Sequence, residues 1–318
     1  NLVHLEEDWI EHVLILSGDQ LYRMDFREMM QTHIESGADA TIAGIPVSRK
    51  DASALGIMQV DDRGQVRGFV EKPQTEQEIE SVRMEPSWID AHGIPSRGRD
   101  CLASMGLYIF NKETMVDLLN SNDHQDFGKE VFPEAINSHK VQVHLFDGYW
   151  EDIGTIRAFY EANLNLAGNA PPFDIRNADA PIYSRPRFLP PTIMGDTKIT
   201  GSLIADGCRI GQNVTISNSV IGLRTVVGDN VVIKDSVVMG ADFIDDPAKL
   251  ADGVLPVGIG SGSTIAGTIL DKNCRIGSNV QIVNEAGIDN QGEDDVLQVR
   301  EGIPIVIKNG QIEDGFRF

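Results

Sequence analysis

The chain has 318 residues, 41% hydrophobic and 24% charged, with a formal net charge of -21. That length suits one to three domains with a sizeable core, no apolar run reaches the roughly 18–20 residues of a membrane span, and no basic-then-apolar stretch opens the sequence. The strong negative charge excludes a general binder of nucleic acid or acidic membrane, so an anionic substrate must be met by local cations or a metal.

The first residues, LEEDWIEH (5–12), read as helical. VLIL (13–16), ended by Ser17-Gly18-Asp19, reads as a buried parallel strand. In DFREMMQTHIESG (25–37), Asp25 precedes Glu28 at capping-box spacing and Gly37 stops the helix. ATIAGIPV (40–47) is the next strand, and residues 56–73 form a hairpin turning at Asp62-Arg63-Gly64. MGLYIF (105–110) and VQVHLF (141–146) are further strands between helical stretches, and Thr155 caps the helix 156–168. This alternation is an α/β layer pattern, assigned to residues 1–170. Cys101, Cys208 and Cys274 lie far apart without C-x-x-C spacing and read as reduced, buried residues of a cytoplasm-like compartment.

Residues 171–192 are rich in proline and read as a linker. Beyond them, over 193–318, the period changes. Ile204, Ile210 and Ile216 are six apart; after a step of five, Ile221, Val227 and Ile233 repeat the spacing. A second block, Ile259, Ile265, Leu270, Ile276 and Ile282, follows an acidic insertion at 242–256, and DGCRIGQNV is nearly repeated as KNCRIGSNV. A six-residue apolar period with glycine and asparagine between is the pattern of a hexapeptide-repeat β-helix, each apolar residue pointing into a triangular coil. All seven histidines lie at or before His144, so this region holds no histidine base and reads as structural or regulatory.

Three α/β segments join a strand end to polar residues: LSGDQLY (16–22), FVEKP (69–73) and YWEDIGT (149–155). Open α/β sheets bind ligands beyond the carboxyl ends of their strands. Asp19 and Asp152 there suit Mg²⁺, which takes oxygen ligands and bridges to phosphates, and Lys72 suits a phosphate. Each also has a plainer reading. Gly18-Asp19 fits a turn, Lys72 a solvated strand end, and Glu151-Asp152 the negative charge that favours a helix start.

ILSGDQLYRMDF, FVEKP, ASMGLYIF, DFGKEVFP, YWEDIGTI, RPRFLPPT, VMGADF and LDKNCRIGSNV closely resemble segments of the ADP-glucose pyrophosphorylase family, in order and along the whole chain. The resemblance implies an incomplete Rossmann-like nucleotidyltransferase sheet followed by a left-handed β-helix. It implies adenylyl transfer from ATP to glucose 1-phosphate, releasing pyrophosphate and ADP-glucose for glycogen or starch synthesis. Carried over by motif, Asp19, Lys72 and Asp152 are catalytic, with Asp19 and Asp152 holding Mg²⁺. Gly56, Glu71, Lys72, Ser104, Asp126, Phe127 and Trp150 bind the sugar phosphate. Arg187, Lys272 and Lys308 match basic residues that hold anionic metabolite effectors, though each also fits a solvated cation. A homotetramer is implied, in cytoplasm or plastid stroma, with no nucleic-acid or membrane partner.

One departure stands out. The family opens with a glycine-rich ATP-cradling loop that this sequence lacks, and it starts at Asn1. The expectation is a chain truncated at its N-terminus and unable alone to adenylylate glucose 1-phosphate. Two alternatives accompany this reading: a non-catalytic regulatory subunit of the same enzyme, or a transferase for another sugar or base.

Overall fold

The computed structural model describes residues 5, 7–121, 127–293 and 295–318. Two compact units divide between Trp150 and Glu151. In chain order the first unit begins with β1 (His12–Leu16), β2 (Gln20–Tyr22), α1 (Phe26–Ser36), β3 (Ala40–Val47), α2 (Arg49–Ala52), β4 (Gly56–Val60) and β5 (Val66–Glu71). It continues with α3 (Glu76–Ser81), α4 (Pro86–Ala91), β6 (Cys101–Asn111), α5 (Lys112–Ser121), a π-helical turn (Phe127–Val131), α6 (Phe132–Ser138) and β7 (Val141–Leu145). The short strand β8 (Trp150–Asp152) begins at the division, and α7 (Ile156–Ala167) belongs to the second unit.

The first unit's main sheet runs β5-β4-β6-β3-β7, with β1 also on β6. Its strands alternate between two buried clusters. Met58, Leu102, Tyr108 and Phe110 face one side with Ile89, Leu118 and Phe132. Ile57, Cys101, Ala103, Met105, Leu107 and Ile109 face the other with Met29, Ala52 and Ile79. Helices therefore cover both faces, α4, α5 and α6 on one, α1, α2 and α3 on the other, which is why β6 carries an almost unbroken apolar run.

Several expectations meet corrections here. The segment 13–16 is antiparallel to β6, with Leu14 opposite Ile109, rather than parallel. Leu14 and Leu16 are exposed, so only one side of β1 packs; a short apolar run does not report strand direction. Residues 7–10 form a turn, Ile10 N–H bonding Glu7 C=O, rather than a helix. The helix at 26–36 does start on Asp25 and stop on Gly37, which has φ of +58°. Asp25, however, accepts the Arg27 N–H and makes no reciprocal box. Hydrogen bonds from Arg27 hold its carboxyl down to about 2. The full capping box is on Thr75 and Glu78, directly after Pro73-Gln74.

The second unit is a parallel β-helix. Ile216 stacks on Ile233, Ile233 on Ile265 and Ile265 on Ile282, all with no exposed surface. Successive coils are 17 residues apart at Asn213 and Asn230. The step of five between two steps of six is thus the third side of each coil. Across the insertion the offset rises to 32, from Ser236 to Thr268, and in the last coil to 36, from Asn273 to Asn309. Corners need a left-handed residue, which asparagine tolerates better than most side chains. Asn213, Asn230 and Asn279 sit there with φ of 55–58°. Asn213 also donates its amide to Asn230 across coils, at 2.9 Å. Gly222 has no alternative, because a Cβ there would lie 2.4 Å from the Met239 carbonyl oxygen.

α7 packs Ile156, Phe159, Tyr160 and Leu164 on Val237, Ile269 and Ile303, the outer side of one solenoid sheet. The proline-rich stretch 171–192 contains no helix or strand, and Tyr183 and Phe188 stand 90% and 97% exposed in it. All three cysteines are free and buried as expected; burial pushes the Cys101 thiol to about 11 and Cys274 to about 12. No described helix is long and apolar enough to cross a membrane.

Candidate active site

Three of the expected residues form one row. Gly56 on β4 pairs with Glu71 on β5. The register that sets Ile57 opposite Ala103 carries Gly56 beside Ser104 on β6. By strand alternation all three lie on the face that carries Phe69, Met58 and Leu102. Gly56 leaves a gap that its neighbours close: a Cβ there would sit 2.5 Å from Phe69 Cζ and 2.7 Å from Glu71 Oε2. A ligand lying over Gly56 would thus meet backbone, an aromatic edge and a carboxylate. Phe127 packs on the same face, its ring centroid 6.2 Å from that of Tyr108. Asp126 lies outside the described residues.

Lys72 leaves β5 with φ of +48°. Its N–H bonds the Leu55 C=O at 3.0 Å, and Gln74 Nε2 donates to its C=O at 2.7 Å. The Thr75 capping box then fixes the chain, so Lys72 has a rigid backbone under an exposed ammonium.

Asp19 is exposed in the turn between β1 and β2, where its carboxylate accepts the Ser17 hydroxyl. Beside it, Gln20 packs within 3.2 Å of where a Cβ on Gly106 would be, and Gly106 has φ of +66°. Gln20 Oε1 also accepts the Trp150 indole N–H at 3.2 Å. Trp150 itself packs with Tyr22, Met24 and Phe26 against the opposite face's cluster, not in the Glu71–Gly56–Ser104 row. Arg99 steadies the approach to it by donating to Asp147 at 2.6 Å and to the Pro46 C=O at 3.2 Å. Gln20 and Arg99 escaped the sequence reading because their partners lie 130 and 48 residues away.

In the second unit Asp152 is exposed, and its Oδ1 accepts the Gly154 N–H at 2.9 Å. Thr155 caps α7 as expected, accepting the Ala158 N–H at 3.1 Å. Burial raises the Glu151 carboxyl above its ordinary value, aided by Glu161.

Of the three expected effector residues, two converge. Lys272 and Lys308 occupy equivalent places on successive coils, the same 36-residue offset that joins Asn273 to Asn309. Lys272 Nζ donates to Asp242 Oδ1 at 2.8 Å. Asp242 is held below the ordinary carboxylate range by Lys272 and Asn273, with Lys308 adding its charge. Arg187 is exposed and donates to the Arg185 C=O at 3.3 Å. The extra residues between them, which include the antiparallel pair Leu297–Arg300 and Ile303–Val306, hide the shared register of the two lysines in the sequence.

Residues 2–169, over half the chain, match the family described as nucleotidyl transferase. The chain belongs to the nucleotidyl transferase family. Residues 187–316 match the GLGC left-handed parallel β-helix domain, which assigns the hand of the solenoid. A nucleotidyl transferase followed by this β-helix is the domain pair characteristic of ADP-glucose pyrophosphorylase. The nucleotidyl transferase identity implies an enzyme acting on a nucleotide and a sugar phosphate. Enzymes of this kind commonly use Mg²⁺, and the donors here suit it. Among the described residues no cluster of three or more metal-ligating side chains occurs. Single carboxylates completed by substrate phosphates are the usual way that Mg²⁺ is bound.

Proposed function

We propose that the protein transfers the adenylyl group of ATP to glucose 1-phosphate, giving ADP-glucose and pyrophosphate. The observation that carries this reading is the pairing of a nucleotidyl transferase with a GLGC-type β-helix. A phosphate oxygen of glucose 1-phosphate attacks the α-phosphorus of ATP; the bond from that phosphorus to the bridging oxygen breaks, and pyrophosphate leaves. Such transfer is chiefly positioning and charge neutralisation. In this reading Glu71 accepts sugar hydroxyl hydrogens over the gap at Gly56, Ser104 and Phe127 border the sugar, and Lys72 answers the phosphate. Asp126 is assigned to the sugar contacts by motif, and Trp150 holds that assignment by motif alone, since its ring packs with the cluster of the other sheet face.

Asp19 and Asp152 are the proposed Mg²⁺ ligands on donor chemistry alone, both being exposed carboxylates. Bound there, Mg²⁺ would neutralise phosphate charge that a protein of net charge -21 otherwise repels. Lys272, Lys308 and Arg187 are the proposed contacts for an anionic metabolite effector, with Asp242 as the resident counter-charge on the lysine pair.

The test is a pyrophosphate-release assay of the native-length protein with Mg²⁺, glucose 1-phosphate and either ATP, UTP, GTP or dTTP. The expected result is ADP-glucose at a kcat/KM at least about 100-fold above that with any other nucleotide, the discrimination a hydrogen-bonding base pocket reaches. A preference for another nucleotide, or for another sugar phosphate, would overturn the reading.

A further inference from the structure

We propose that Glu301, in the solenoid, is a positioning residue for Asp152; the inference rests on the reading of Asp152 as a Mg²⁺ ligand. Glu301 sits in the tight turn between the antiparallel strands Leu297–Arg300 and Ile303–Val306. Its carboxylate reaches the start of α7 and accepts the Arg157 N–H at 2.8 Å. Its own C=O accepts the Arg157 guanidinium. The helix start therefore has two caps from different places: Thr155 takes the Ala158 N–H locally, and Glu301 takes the Arg157 N–H from 144 residues away.

The turn is built to hold Glu301 in place. Glu301 has φ of +52°, a region that glycine or asparagine occupies with less strain. Strained residues persist where the surroundings over-determine them, and here they do. Asn290 Oδ1 accepts the Glu301 N–H at 3.2 Å, Asp289 C=O accepts the Gly302 N–H at 2.8 Å, and Asn284 Nδ2 donates to Gly302 C=O at 3.0 Å. A simple hairpin turn has no need of a glutamate in that conformation. Capping a helix on another part of the fold explains it.

The link to Asp152 is short. The side-chain hydrogen bond that Asp152 makes, from Gly154 N–H to Oδ1 at 2.9 Å, orients its carboxylate by the backbone that enters α7. Fixing Arg157 fixes that entry. Tyr160, one turn on, donates its hydroxyl to the Asp235 C=O, which seats the same helix on the solenoid and leaves Glu301 to set its first residues. Outer residues that orient a metal ligand typically cost 10–100-fold in metal affinity when removed. Glu301 thus acts on metal affinity through the helix start rather than on sugar binding.

The experiment uses the native-length protein and two readouts independent of turnover: Mn²⁺ binding by electron paramagnetic resonance, and amide exchange over residues 153–158. E301A is expected to weaken Mn²⁺ binding about tenfold and to speed exchange at Arg157, while E301Q, which keeps an acceptor oxygen, restores both. The double variant D152N/E301A is expected to bind Mn²⁺ no more weakly than D152N. Wild-type Mn²⁺ affinity in E301A, with D152N impaired, overturns the inference and leaves the Asp152 assignment standing. Wild-type affinity in D152N overturns the assignment and the inference together. Further weakening in the double variant shows Glu301 acting by another route and also overturns it. Should E301A fail to fold, E301G removes the same carboxylate while relieving the positive φ, and the same outcomes apply.

Discussion

Lys72 shows how single residues shape this site. A lysine at φ of +48° carries a strain of roughly 1–2 kcal/mol. The Leu55 carbonyl and the Gln74 amide hold it there, so the ammonium leaves the strand end on a rigid stem. Gly56 makes the complementary contribution by absence of a side chain. Of the groups a Cβ would meet, Glu71 Oε2 ends an exposed side chain that can swing aside, while Phe69 Cζ belongs to a ring packed edge-on against Phe132 and must shift with it. Gly56→Ala is therefore expected to lower stability by about 1–3 kcal/mol and to raise the KM for the sugar phosphate about tenfold or more, as small misplacements at a reacting site do. An unchanged KM would remove Gly56 and Glu71 from the sugar contacts.

His33 and His144 dock α1 on the sheet. His33 bonds Thr41 through Nδ1 at 2.8 Å and Asn111 through Nε2 at 3.1 Å, and His144 Nδ1 meets Thr32 Oγ1 at 2.8 Å. Burial lowers the pKa of both rings. The unfolded chain therefore takes up protons before the native one as pH falls below about 6.5, and stability declines in that window. Above it the histidines contribute no slope. Denaturant unfolding should show less stability at pH 5.5 than at pH 7.5, with a flatter profile in His33→Gln/His144→Gln. An equal slope in the double variant would assign the acid sensitivity to other groups.

At the scale of elements, the insertion at 242–256 behaves as a pinned loop rather than a loose excursion. Arg275 donates to Asp245 at 2.6 Å with only 17% and 13% of the two side chains exposed, and also to the Leu255 carbonyl. Asp245 accepts the Val257 N–H as well; burial raises its pKa, and this N–H with Arg275 brings it below the ordinary range. At the far side Gln311 Oε1 accepts the Leu255 N–H at 3.1 Å, and its Nε2 donates to the Gly253 C=O at 2.9 Å. Arg275→Leu leaves Asp245 half-satisfied and is expected to cost about 3 kcal/mol. The stretch 242–256 would then become a protease-sensitive site within an otherwise resistant solenoid. Limited proteolysis and chemical denaturation check both, and a resistant loop in that variant would show that Gln311 and Lys272 suffice to hold it.

Legibility from sequence followed how local each constraint is. The solenoid was plain because its spacing is enforced by stacked residues such as Ile216, Ile233, Ile265 and Ile282 and by asparagines at the corners. The caps of α1 and α7 at Asp25 and Thr155 were likewise local. The direction of β1 was hidden, since an apolar run of four serves either pairing and its real partner is β6, about 95 residues on. Gln20 beside Trp150, Glu301 beneath α7 and Lys308 beside Lys272 were hidden for the same reason: each acts on a residue far away along the chain.

On the scale of the molecule, the two units are built on opposite principles. In the first unit β6 pairs with strands from three separate parts of the sequence, β1, β3 and β4, so long-range closure must precede its core. In the second each coil rests only on its neighbours, an arrangement whose stability is close to a sum of stacking terms. That difference also gives the solenoid a mechanical character. Pulled from its C-terminus, it would come apart as an unwinding thread, one coil at a time. Each ordinary coil of 17 residues would release about 60 Å of chain, at roughly 3.4 Å per residue. The coil whose offset is 32 would release about 110 Å at the same rise. The last coil, whose offset is 36, would release about 120 Å at that rise. The trace thus carries two long steps, and the 32-residue one is the extension signature of an insertion that Arg275 and Lys272 have moored to the coils beside it.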